Sequence, residues 1–270
     1  MIEKEDYEEP RCFLNMDKNE SVDPIPVQRV IEKLDAYYAR NDVSGAERHL
    51  LYWLSEALAG NDKKGEFTVR SELMGHYRKE GNKEKAIENA DAVNDLIEEL
   101  KIGDTVGAGT AYLNIGTVYK AFGKAEESLV FFEKATAIYE KTLDRKDARF
   151  GGLYNNYALT LVDLKRFSDA YRYYEKALSV VENIPFSKPD AAITYLNIAT
   201  AKETEKGYLA AKDEIKGLLK KAKARLDGEN RRDGYYAFVC SKCATAFSYY
   251  GDEEYAEELI VRAKEIYERA

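Results

Sequence analysis

The sequence predicts an all-α fold, a right-handed α-α superhelix of about six helical hairpins, and three observations predict it. First, a pattern is written twice: Tyr112-Leu113-Asn114-Ile115-Gly116, then Tyr119, Gly123, Ser128, Phe132 and Ala135, returns 42 residues later as Tyr154-Asn155-Asn156-Tyr157-Ala158, then Leu161, Lys165, Ala170, Tyr174 and Ala177. Self-similarity at a fixed period of tens of residues marks a solenoid, in which each unit buries its apolar face against its neighbours. Second, apolar residues recur at spacings of three and four, as in Tyr112, Ile115, Tyr119 and again Leu129, Phe132, Ala135, Tyr139, which is the period of an amphipathic helix. Third, small residues that let paired helices approach fall in one column, Ala46, Ala86, Ser128, Ala170, Ala211 and Ala256. Turn residues precede that column by five, as Asn41, Gly81, Gly123, Lys165 and Gly251, or by four, as Gly207, so the fifth turn is shorter by one.

Taken in order, residues 1–23 read as an extended arm, with Pro10, the apolar run Cys12-Phe13-Leu14 and Met16, bounded by the helix breakers Pro24 and Pro26. Leaving large apolar side chains in water costs ~1.5–3 kcal/mol each, so the arm is expected to dock. The solenoid then divides into units 24–62, 63–103, 104–145, 146–186, 187–228 and 229–270. Asn82, Asp104, Ser187 and Asp252 are candidate N-caps, and Pro189 suits a first helical turn. Gly109 and Gly151, one period apart, are expected at close backbone approaches.

Composition narrows the function classes. The 270 residues are 45% apolar and 33% charged, which is the balance of an ordered chain, and no apolar run approaches the ~20 residues that span a bilayer. The acidic N-terminus lacks the apolar region of a secretory signal, and three cysteines make no disulfide framework, so the expected setting is cytoplasmic. A net charge of −8 disfavours nucleic acid and anionic membrane as partners. The basic stretch from Lys216 to Arg232 reads as a solvated helix face.

These residues resemble the tetratricopeptide repeat, whose signature opens on an aromatic residue and continues through a Leu-Gly-type pair to later small and aromatic positions. Here Tyr112, Tyr154 and Tyr195 open the units, followed by Ile115-Gly116, Tyr157-Ala158 and Ile198-Ala199. The third and fourth units match clearly, the sixth well, and the first, second and fifth are degenerate. The usual period is 34; one near 42 looks like the long-helix variant of kinesin light chains and of many bacterial repeat proteins. The resemblance implies a non-catalytic interaction module with a protein or peptide partner, no cofactor and no metal.

In such an array the first helices of the hairpins line the concave surface, so polar residues on their inner faces are the candidate site. Asn114, Asn156 and Asn197 form a column there, with Asn155 beside the middle one. Amides donate and accept, and so can pair with the backbone of an extended peptide whatever its sequence; the other reading is that they bond neighbouring helices within the array. Leu113, Thr117, Leu159, Thr200 and Lys120 complete the expected surface, with Arg78 and Lys79 at one end. A signalling-peptide sensor and a homodimer through the last helix, with Tyr255, Leu259, Ile260, Val261, Ile266 and Tyr267, are the alternatives.

Other chemistry is weakly supported. Cys240 and Cys243 lie three apart where the repeat wants apolar residues, so they read as packing rather than a metal or redox pair. His49 and His76 stand in different helices without a triad or ligand spacing, and Gly103, Gly107 and Gly109 lack the strand and Gly-Lys-Ser/Thr of a phosphate loop. Most of the 21 tyrosines fall in or beside signature columns and read as core.

Overall fold

The structure is a computed structural model that describes residues 24–269; the arm, with Cys12, Phe13, Leu14 and Met16, lies outside the described residues. The described residues form twelve α-helices and no strand. They pair into six hairpins: α1 (Val27–Ala39) with α2 (Val43–Ala59), α3 (Lys63–Lys79) with α4 (Lys83–Glu99), α5 (Val106–Ala121) with α6 (Ala125–Thr142), α7 (Arg149–Asp163) with α8 (Phe167–Val181), α9 (Lys188–Lys206) with α10 (Tyr208–Asp227), and α11 (Gly234–Tyr249) with α12 (Glu253–Tyr267). The hairpin starts are unevenly spaced, shortest over the first unit and longest over the fifth.

The turn column is where the chain reverses. Asn41, Gly81, Gly123, Lys165 and Gly251 all take left-handed φ values, between 56° and 87°. In the first turn, Asp42 N–H reaches back to the Tyr37 carbonyl and Asn41 N–H to that of Tyr38, and the same pair of bonds recurs at the other four. This geometry satisfies the last carbonyls of one helix and needs a residue that tolerates positive φ, hence glycine or asparagine at most of these places. The residue after the turn then caps the next helix: Asp42, Asn82 and Asp252 accept from the N–H three residues on. Between α9 and α10 Gly207 alone makes the turn, as its shorter spacing implied.

Two cap expectations are corrected. Thr105 caps α5, its hydroxyl accepting from Ala108 N–H at 3.2 Å, while Asp104 pairs instead with Lys141 at 2.9 Å. Ser187 stands at the start of α9 but its side chain makes no capping bond, whereas Pro189 does occupy the first turn.

The small-residue column is fully or nearly fully buried, and Phe132, Tyr139 and Tyr174 fill the space between paired helices. Gly109 and Gly151 serve side chains of the partner helix rather than a neighbouring backbone. A Cβ at Gly109 would lie 2.7 Å from the Tyr139 ring, and one at Gly151 would lie 2.4 Å from Val181 Cγ1.

The odd-numbered helices form one continuous layer: α3 touches α5, α5 touches α7, α7 touches α9 and α9 touches α11, with no comparable contact between even helices. The closer-packed layer of a curved array is its inner one, so the chain is an α-α superhelix with α3, α5, α7, α9 and α11 on the concave side. Each of α2, α4, α6 and α8 also packs onto the next odd helix, whereas α10 has no comparable contact with α11. The buried core falls into one cluster from Ile25 to Val180 that also takes in Ala201, a second from Val181 to Ala263 that joins Ala222 and Leu226 of α10 to α11 and α12, and a small third of Ala199, Ala211 and Ile215. At the start of α10, Leu209 is left 85% exposed.

Tyrosine hydroxyls bind successive hairpins. Tyr77 of α3 donates to Glu47 of α2 at 2.9 Å, Tyr119 of α5 to Asp91 of α4, Tyr157 of α7 to Glu133 of α6 at 3.3 Å, and Tyr195 of α9 to Glu182 beyond α8 at 2.7 Å. Each bond ties an odd helix to the preceding even one. Burial first, and then the adjoining carboxylate, pushes the Tyr77, Tyr119 and Tyr195 phenols up. These tyrosines are both core and interlock, because the ring packs while the hydroxyl finds a partner.

Candidate functional site

Helix α7 shows how the inner face is built. Phe150, Leu153, Tyr154, Tyr157, Ala158 and Leu161 are buried, which turns Gly152, Asn155, Asn156, Leu159 and Asp163 toward the accessible side. The equivalent strip carries Leu113, Asn114, Thr117 and Lys120 on α5, and Asn197 and Thr200 on α9. All nine expected residues therefore fall on accessible or half-buried positions of three neighbouring inner helices.

Their bonding separates them. Asn197 Nδ2 donates to Asn155 Oδ1 at 3.1 Å, joining α9 to α7. Here the second reading of the amides applies, since these two serve as partners for each other within the array. Asn156 Nδ2 donates to the Gly152 carbonyl in its own helix at 2.9 Å, and the Thr117 and Thr200 hydroxyls donate to the Leu113 and Leu196 carbonyls. Asn114 is exposed and has no hydrogen-bond partner among the described residues. Lys120 is paired with Asp163 of α7 at 3.6 Å. The surface is thus a seam of neutral polar groups, partly self-paired, flanked by Leu113 and Leu159.

Further along the inner layer, α11 carries an aromatic strip that the sequence reading did not single out. Tyr235, Phe238 and Tyr249 are exposed on one side of the helix. Tyr235 donates to Asp190 at 2.5 Å and Tyr249 to Glu203 at 2.9 Å, both on α9, which places the strip beside the α9 inner face. Tyr235 stacks near Phe238 at 6.4 Å between centroids, and Lys242 Nζ lies 5.1 Å above the Phe238 ring. Burial raises the Asp190 carboxyl, against the opposing effect of the Tyr235 bond. The available signal was the spacing of Tyr235, Phe238 and Tyr249 between the buried positions of α11. A cavity of ≈ 200 Å³ opens nearby, lined by Phe186, Pro189, Arg231, Asp233, Tyr235 and Tyr236, and none of the nine expected residues borders it.

The remaining candidates are part of the scaffold. Cys240 and Cys243 are buried free thiols in the last core cluster, and burial pushes Cys243 up to about 12, so neither is a ready thiolate. His49 Nε2 pairs with the Val30 carbonyl at 2.9 Å, and the Tyr38 hydroxyl meets His76 Nδ1 at 3.0 Å; burial pulls both imidazoles below their ordinary value. Among the described residues no group of three His, Cys, Asp or Glu side chains could hold a metal ion, and no helix is long and apolar enough to cross a membrane.

Comparison with known families agrees with this geometry. Two Tetratricopeptide repeat models match residues 67–141 and 152–182. Over these residues the chain carries tetratricopeptide repeats. The matched segments span α3–α8, so the sixth tetratricopeptide-like unit, α11 with α12, lies outside them. No curated protein matches the sequence. Among solved structures the chain resembles BtubC (BKLC) from P. vanneervenii, at 18% identity and TM-score 0.63, covering 76% of this chain and 82% of that one. A putative kinesin light chain of Podosopora anserina with nearly identical TPR-like repeats aligns at 16% identity and TM-score 0.51, over 73% of this chain and 92% of that one. A Rap protein complexed with Competence and Sporulation Factor aligns at 13% identity and TM-score 0.57, over 90% of this chain and 64% of that one. At these identities the likeness is one of fold.

Proposed function

We propose that this repeat protein is a non-catalytic adaptor that holds an extended peptide or protein segment along the inner faces of α5, α7 and α9. The observation that carries the proposal is the gathering of Asn114, Asn155, Asn156 and Asn197 on one accessible strip, with the Asn114 amide exposed and without a partner among the described residues. Such amides pair with peptide backbone irrespective of sequence. The Rap structure, solved with Competence and Sporulation Factor bound, supports a binding role for this fold. The division into six repeats at 24–62, 63–103, 104–145, 146–186, 187–228 and 229–270 belongs to the same proposal, as does a cytoplasmic setting, which the buried free thiols suit.

Magnitude shapes the mode of binding. Three hydrogen bonds at ~0.5–1.5 kcal/mol each supply roughly 2–4 kcal/mol, whereas micromolar affinity needs about 8, so apolar contacts at Leu113, Leu159 and the α11 aromatic strip carry the larger share. The test is calorimetry of a peptide library against the intact chain and against a variant with Asn114, Asn156 and Asn197 all changed to alanine. The variant should lose or weaken its binders; an unaltered profile removes the proposal. A second reading, a homodimer through α12, is favoured by the exposure of Ile260, Val261 and Tyr267, each over half accessible, although Tyr255 and Leu259 of the same helix are buried within the array and are not available to a partner. Light scattering that stays at the monomer mass across a wide concentration range removes that one.

A further inference from the structure

The α8–α9 and α10–α11 connections lead into the N-terminal ends of α9 and α11, and the cavity of ≈ 200 Å³ is lined from both. Its apolar walls are Pro189 and the rings of Phe186, Tyr235 and Tyr236, and its two charged groups are Arg231 and Asp233. Phe186 is the anomaly among them. Its φ is 65°, a left-handed value that suits glycine or asparagine and not a bulky side chain, and the residue is 57% exposed. The chain thus holds an aromatic ring at the solvent edge against its backbone preference, with little burial in return.

The contacts of Phe186 show what such a ring holds. The Arg231 guanidinium stands 5.8 Å from the ring centroid, and Arg231 Nε lies 2.7 Å from Asp233 Oδ2. The Arg231 side chain is 62% exposed, so it covers the rim and does not fill the cavity. Carboxylates gather at the same place. The Tyr236 N–H first, and Arg231 after it, hold the Asp233 carboxyl below its ordinary range. Asp190 accepts from the Tyr235 hydroxyl at 2.5 Å. Glu229, 3% exposed, accepts from the Arg231 N–H at 2.8 Å through Oε1, while its Oε2 is buried without a partner. Of the other cations, Lys188 donates to the Gly228 carbonyl at 2.5 Å and Arg232 stands 5.6 Å from the Tyr236 ring centroid. Asp190 in the first turn of α9 and Asp233 at the cap of α11 offset the positive ends of the two helices.

We propose that this cavity is a binding site for a guanidinium group, stacked on Phe186 and bonded to the Asp233 carboxylate, with Arg231 as the resident group that an incoming one displaces. A planar, weakly hydrated guanidinium both stacks on an aromatic face and donates to a carboxylate, which neither an anion nor a neutral urea can match. The ligand is an arginine side chain or a free small guanidinium compound. None of the inner-strip residues is involved, so the inference stands apart from the groove reading.

The test is an NMR titration of the intact, isotope-labelled chain with N-acetyl-arginine amide, with its neutral citrulline counterpart, and with methylguanidinium. The arginine compound should shift the Phe186 and Tyr235 ring signals saturably and bind about tenfold more tightly than the citrulline compound. Arg231→Gln frees the site of its resident group and should tighten binding about threefold or more. Phe186→Asn, which suits the positive φ, should keep the melting temperature yet bring the arginine-to-citrulline ratio to one; Asp233→Asn, which retains an N-cap, should lower that ratio severalfold. Equal affinity for the arginine and citrulline compounds, no saturable shift with either guanidinium compound, weaker binding by Arg231→Gln, or a ratio that survives both Phe186→Asn and Asp233→Asn overturns the proposal. Methylguanidinium binding as tightly as the arginine compound supports the site and assigns it to a free small cation. Weaker binding by methylguanidinium supports the site and assigns it to an arginine side chain.

Discussion

The bond from Asn197 to Asn155 gives a sharp test of how the inner face is held before anything binds. Both amides are half-buried and the N···O distance is 3.1 Å, an ordinary neutral hydrogen bond. Water reaches both groups, so truncating one does not strand the other in a dry interior, and the expected coupling lies at the lower end of the usual range, about 0.5–1 kcal/mol. The assay is a double-mutant cycle of Asn155→Ala and Asn197→Ala, read by native-state hydrogen exchange of the α7 and α9 backbone amides. Local opening is the appropriate readout, because a repeat array need not unfold in one step. Opening free energies that add within about 0.3 kcal/mol would show that the two side chains do not interact. A measurable coupling also has a functional consequence: a segment that uses these amides must replace the bond between them, so Asn114, which has none to replace, should contribute more to affinity.

Three further outcomes follow from the core and the titratable groups. The Tyr174 hydroxyl is buried without a partner, while the preceding unit places Phe132 at the same position, so Tyr174→Phe should stabilise the chain by roughly 1 kcal/mol in urea denaturation; a loss of stability would reveal a partner for that hydroxyl. Gly116→Ala should destabilise, because the added methyl would lie 2.7 Å from the Phe132 ring, whereas Gly75→Ala, with open space, should stabilise its helix by about 0.5–1 kcal/mol; thermal melts that rank the two the other way contradict the packing described. Burial lowers the His49 proton affinity in the folded chain, and Nδ1 is sealed without a partner. Because the folded value lies below the ordinary 6.5, the stability linked to His49 is present above that pH and is lost as pH falls through the folded value. His49→Gln should therefore lose less melting temperature than wild type between pH 7.5 and 5.5, and equal losses would assign the pH dependence to other groups.

Much of the scaffold was legible because its requirements are local. Positive φ selects glycine or asparagine, so Asn41, Gly81, Gly123, Gly207 and Gly251 announced the turns, and Lys165 was found by spacing alone. Tight helix pairing selects small side chains, so the column from Ala46 to Ala256 announced the hairpins. Contacts between hairpins were less readable, because a period aligns equivalent positions but does not fix the sideways offset of neighbouring inner helices. The column of Asn114, Asn156 and Asn197 is sound as a strip, yet the bond that forms runs from Asn197 to Asn155, one position aside. For the same reason the pairing of Lys120 with Asp163 and the tyrosine bonds to Glu47, Asp91 and Glu133 were not foreseen. Gly109 and Gly151 are tight places, but the close approach is to the Tyr139 and Val181 side chains and not to a neighbouring backbone, which a period alone does not distinguish. The weak contact between α10 and α11 has no counterpart in the periodic pattern, which treats every junction as equal.

The central claim is that ligands lie along the inner face, and a photo-cross-linking residue tests it most directly when placed at Asn114 in one variant and at the exposed outer-helix residue Val130 in another. With a peptide selected from a display library against the intact chain, capture from position 114 and none from position 130 is the predicted result. Capture from 130 with none from 114 would place the ligand on the outer surface and contradict the account.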